Sequence, residues 1–64
     1  MNLTNRQKKC LLDMLSFDPQ PYSWMLKTCA ELEALRLAKR DISKVWVAYS
    51  LTDAGREMAK SLRA

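Results

Sequence analysis

Cys10 and Cys29 are the two thiols of a 64-residue chain that contains no histidine. Thiols bind metals or attack substrates when they are gathered with other ligands or set beside a base. Two isolated sulfurs cannot complete a tetrahedral zinc shell, and without histidine the commonest general base is missing. The chain has a single glycine, so it has no glycine-rich loop to cradle phosphates. These absences set enzymatic, metal and cofactor chemistry aside. Two cysteines are also too few and too unpatterned for a disulfide framework. Both fall on the apolar side of predicted helices, where a free cysteine packs as a small hydrophobe. They are expected to be reduced and structurally inert.

What remains is charge and shape. Eleven Lys and Arg oppose seven Asp and Glu, a formal charge of +4, which is compatible with an anionic partner but common on ordinary soluble proteins. Apolar residues make up 48% and charged residues 28%, a globular balance. The length allows one domain over residues 1–64, with a stability of ~3–9 kcal/mol at about 0.05–0.15 kcal/mol per residue. No apolar run is long enough to cross a bilayer, and no signal-peptide core follows Met1-Asn2-Leu3-Thr4. A cytoplasmic location is expected.

Thr4 and Gln7 form a predicted capping box that opens a first helix. Gln7, Cys10, Leu11, Met14 and Leu15 share its inner face, with Arg6, Lys9 and Asp13 opposite. Phe17-Asp18-Pro19-Gln20-Pro21 ends it, because two prolines remove donors and exclude helical geometry before each. Ser23 is a predicted cap for a second helix over Trp24–Leu35, with Met25, Cys29 and Leu32 inward and Lys27, Ala30, Glu31 and Ala34 outward. After a turn at Ile42-Ser43-Lys44, residues Val45–Leu51 are β-branched and aromatic. Alternation puts Val45, Val47, Tyr49 and Leu51 on the core face, with Trp46, Ala48 and Ser50 behind. Thr52 then caps a last helix in which Ala54, Met58 and Leu62 recur every four residues. The expected class is α+β, in the order α-α-β-β-α, with Leu37 completing the core.

The stretch Tyr49-x-Leu51-Thr52-x-x-Gly55 resembles the wing-to-helix junction of bacterial winged-helix regulators. Glu31–Arg40 resembles the end of that family's recognition helix and its first wing strand. Leu3-Thr4-x-x-Gln7, with Leu11 and Leu15, resembles the opening helix. The resemblance covers most of the chain and implies a small winged-helix domain with a two-stranded wing. Two departures stand out: Arg36 occupies the position where the family places glycine, and Phe17–Tyr22 leaves room for a single turn where the family has a further helix. Such trimmed versions are similar to small phage and prophage proteins.

The resemblance implies duplex DNA as partner and transcriptional regulation as role. The second helix would lie in the major groove, with Ser23, Lys27, Thr28 and Glu31 as candidate contacts. Arg36, Lys39, Arg40 and Lys44 would meet phosphates from the wing, a local +3 once Asp41 is subtracted from the four bases. The alternative is a protein-binding module, a phage-type adaptor or inhibitor. In that reading Trp46, Trp24, Ala30 and Ala34 meet a host partner or a second copy of the chain, since tryptophan is enriched at interface hot spots. A homodimer is expected on either reading.

Overall fold

A computed structural model describes residues 2–18, 20–42 and 46–63. Its elements run α1 (Asn5–Phe17), α2 (Leu26–Ala34), β1 (Ala38–Arg40), β2 (Tyr49–Leu51) and α3 (Asp53–Arg63). This is the expected α+β order. Pro19, Ser43, Lys44 and Val45, named above in the helix stop, the turn, the wing and the strand, lie outside the described residues.

The capping box of α1 is present in both halves. The Gln7 N–H donates to Thr4 Oγ1 at 3.1 Å, and the Thr4 N–H donates to Gln7 Oε1 at 3.0 Å. The helix stops at Asp18, whose backbone is extended at φ −56°, ψ 133°, as a residue before proline must be. Cys10, Leu11 and Met14 are its buried residues.

The chain then makes a connection that local patterning does not reveal. Tyr22 bridges Tyr49 through both backbone pairs, N–H to O at 2.9 and 2.8 Å. This pairing keeps the chain extended up to Tyr22 and delays the second helix. The start expected at Trp24 under a Ser23 cap is therefore not adopted. Met25 occupies the N-cap position in the left-handed region, φ 50°, and no side chain caps α2. A left-handed residue with a Cβ costs roughly 1–2 kcal/mol, so the bridge and the buried contacts of Cys29 and Leu32 must offset it.

At its other end, α2 closes through Arg36, at φ 63°. The Leu37 N–H donates to Leu32 O and the Arg36 N–H to Glu33 O, each at 2.9 Å. This is the hydrogen-bond closure that glycine usually supplies. Leu37 and Leu32 meet in the core beneath it.

The strands pair antiparallel, Ala38 with Leu51, Lys39 with Ser50 and Arg40 with Tyr49. The Asp41 N–H reaches Ala48 O at 2.8 Å beyond these three pairs. The strand expected to begin at Val45 is thus only three residues long among the described ones. Val47, assigned to the core by alternation, is 37% exposed, while Ala48, assigned to the outer face, is fully buried. Alternation is fixed where residues pair across the ladder, and Val47 and Ala48 precede the paired stretch Tyr49–Leu51, although the Ala48 carbonyl still takes the Asp41 N–H.

Thr52 caps α3 as expected, accepting from the Gly55 N–H at 3.0 Å. Its hydroxyl also donates to Arg36 O at 2.8 Å, which ties α3 to the end of α2. The inward seam of α3 is Gly55 and Ala59, flanked by half-buried Met58 and Leu62; Ala54, expected inward, is exposed. The helix turns this side in because Gly55 lies flat on the Leu37 backbone. A Cβ built there would stand 1.8 Å from Leu37 O. On the same helix, Arg56 grips Asp18 with Nε and Nη2 at 3.0 and 3.1 Å, and reaches Asp53 at 3.1 Å.

Three outcomes follow for stability. Gly55→Ala forces the α3 start off Leu37 and should cost at least about 1–3 kcal/mol, a large share of what so small a domain has. An unchanged melting curve would remove this approach from the packing. Arg36→Gly relieves the left-handed strain and should gain ~1 kcal/mol, raising Tm by about 4–8 °C; a lower Tm would contradict it. The Arg56 guanidinium holds the Asp18 carboxyl below the usual carboxylate range. A depressed folded value means the pair stabilises the protein above the unfolded value, ~3.9, and that this contribution disappears as pH falls through the folded value. Asp18→Asn should therefore lower Tm at pH 7, with the difference closing under acid; a difference that persists at low pH would separate the effect from this ion pair.

Candidate functional site

Two surfaces flank α2, one basic and one aromatic. The basic one starts where the left-handed turn throws Arg36 outward, and it continues along β1, where Ala38 is buried while Lys39 and Arg40 are exposed. Among the described residues, none of these three bases sits in an ion pair. Arg36, Lys39 and Arg40 are thus all exposed within five residues of chain after α2; Lys44 lies outside the described residues.

The N-terminal half of α2 departs more from expectation. Lys27 is exposed and Ser23 half-buried. Thr28 is 4% exposed and offers no contact surface, because it lies one turn before Leu32 on the buried row. Glu31 is exposed, but its carboxylate accepts from Gln7 Nε2 at 3.0 Å and is turned toward α1. Only Lys27 offers a positive charge on this face, at the far end of a nine-residue helix from Arg36.

The second surface is aromatic. Phe17, Tyr22 and Trp24 pack on one another with ring centroids 5.1–5.6 Å apart, Phe17 meeting Tyr22 edge-on. Such tilted and edge contacts suit the ring quadrupoles. Tyr22 is buried, and its hydroxyl donates to Asp13 Oδ2 at 3.3 Å. Burial and the Asp13 charge push this phenol well above its ordinary range, so it remains a donor. Trp24 is 56% and Phe17 41% exposed, and they wall an open hollow of about 370 Å³ with Lys9, Asp13 and Met25. Exposed Leu26, Ala30 and Ala34 extend the apolar surface along one row of α2. Trp46, 57% exposed, stands apart on the hairpin. Sequence reasoning singled out both tryptophans and both alanines but not Phe17. The available signal was three aromatics at 17, 22 and 24 close together in the sequence.

Between the two surfaces lie the thiols. Both are fully buried, with Sγ atoms 3.7 Å apart, and Cys29 Sγ is 3.5 Å from Trp24 O. The sulfur contact and burial push the Cys29 thiol up, which keeps it protonated. Among the described residues, no group of three or more His, Cys, Asp or Glu side chains is placed to hold a metal ion. No described helix is long and apolar enough to cross a membrane.

No protein-family model matches the chain, and neither the curated proteins nor the solved structures contain a significant match.

Proposed function

We propose that the protein binds duplex DNA through its hairpin edge, as a small winged-helix transcriptional regulator of the phage type. The observation that carries this reading is that Arg36, Lys39 and Arg40, within five residues of chain, are each exposed and free of ion pairs among the described residues. Bases so placed neutralise phosphates and supply affinity without reading sequence. With Thr28 buried and Glu31 turned to Gln7, α2 contributes Lys27 and little else to base recognition. Binding should accordingly be strongly salt-dependent and weakly selective.

A second reading rests on a separate observation. Phe17, Trp24 and Leu26 are exposed large hydrophobics set close along the chain, and Ala30 and Ala34 prolong them. A protein-binding module, or a dimer formed by this face, would use that surface.

Titration against duplex DNA at several salt concentrations separates the two. On the first reading, replacing Lys39 and Arg40 with Ala weakens binding to all sequences alike. The slope of log affinity against log salt then flattens by about 0.9 for each phosphate that the protein no longer neutralises. No salt-dependent binding at low ionic strength would rule the first reading out. On the second, those changes matter little, whereas Trp24→Ala costs ~2 kcal/mol in the partner complex. Sedimentation of Ala34→Glu reports whether the α2 row joins two copies.

A further inference from the structure

The contact between Cys10 and Cys29 joins two helices, not two turns of one. Cys10 lies on α1 and Cys29 on α2, 19 residues apart in sequence, with their sulfurs 3.7 Å from each other. A disulfide needs about 2.05 Å, so the sulfurs must approach by roughly 1.7 Å, within reach of small side-chain rotations and helix shifts. We propose that these residues form a reversible dithiol–disulfide site, oxidised by low-molecular-weight disulfides, which staples α1 to α2.

Both thiols are fully buried, so a reagent reaches them only when the structure opens. The N-terminus of α2 is a place where opening is eased. Met25 sits there in the left-handed region, and no side chain caps the helix. In the opened form, the Cys29 sulfur loses its proton to solvent and attacks the small disulfide, RSSR. Its S–S bond breaks, one RS⁻ leaves, and a mixed disulfide forms on Cys29. The Cys10 sulfur, likewise deprotonated, attacks the Cys29 sulfur and expels the second RS⁻. The two released thiolates take up the two protons. Two protein S–H groups are thus oxidised by two electrons while one RSSR is reduced to two RSH.

The bridge has a consequence at the surface. In the reduced protein Cys29 Sγ is placed to donate its hydrogen to Trp24 O at 3.5 Å. A bridged Cys29 has no S–H to give. The carbonyl loses that weak donor, which alters the backbone contact beneath Trp24. Oxidation therefore reaches the aromatic surface through the backbone of Trp24.

The test incubates the full chain, native and fully reduced, with oxidised glutathione at pH 8. The expected product is about 2 Da lighter, with Cys10 joined to Cys29 in one molecule. It should melt roughly 10 °C higher than the dithiol, and dithiothreitol should reverse both changes. Cys10→Ser should instead stop at a glutathione adduct on Cys29. If that variant does not fold, peptide mapping of the wild type still decides. Protein that remains a dithiol, ends as a glutathione adduct or bridges between molecules overturns the site. A bridge that lowers Tm shows that the fold cannot accommodate it, and also overturns it. In a Trp46→Phe background the emission of Trp24 should shift on oxidation and return on reduction; an unchanged spectrum overturns the coupling to the aromatic surface.

Discussion

The backbone of Arg36 and Leu37 is the joint on which this fold depends. The Leu37 N–H closes α2 by donating to Leu32 O, while its carbonyl accepts from the Thr52 N–H at 3.2 Å. The Arg36 carbonyl takes the Thr52 hydroxyl. Gly55 then lies against the same Leu37 carbonyl, at a distance no other residue type allows. Two residues therefore end one helix, start β1, receive the cap of α3 and set how closely α3 approaches. A chain of 64 residues buries too little apolar surface to hold three helices by area alone, so directional hydrogen bonds at a shared joint matter more here than in a larger domain.

Parts of this joint are legible in the sequence and parts are not, for physical reasons. Thr4 with Gln7, and Thr52 before a helical stretch, are local signals because a cap and its recipient lie three residues apart. Tyr49 and Leu51 are legible as core because the paired strands enforce their pleat. Val47 and Ala48 exchange places because β-propensity without a partner strand does not set which way a side chain points. Ser23 has the right chemistry for a cap, yet the bridge from Tyr22 to Tyr49, 27 positions away, overrides it. The same limit governs the site. Arg36, Lys39 and Arg40 are legible as exposed bases. Thr28 reads as a contact from its hydroxyl alone, and only the row it shares with Leu32 shows otherwise.

The two thiols and the aromatic cluster are linked by the way α2 begins. Met25 adopts its left-handed conformation because the chain must turn sharply between the Tyr22 bridge and a helix that buries Cys29. That turn pushes Trp24 outward onto Phe17, and it brings Trp24 O within reach of the Cys29 sulfur. The uncapped, left-handed entry to α2 thus sits beside both the exposed aromatic surface and the buried dithiol.

The electrostatics of α2 bear on the meaning of the basic edge. A helix C-terminus carries a partial negative charge, and a cation beside it gains roughly 0.3–1 kcal/mol. Arg36, immediately after the cap residue Leu35, is placed to receive that benefit. Its charge has a structural reason before any ligand is invoked. The effect falls off within the last turn, so it does not extend to Lys39 and Arg40, which continue along β1 on an exposed edge. Nothing in the described fold requires a positive charge at either position. Arg36 therefore serves the helix as well as the basic edge, and Lys39 and Arg40 are the members of that edge that the helix itself does not need.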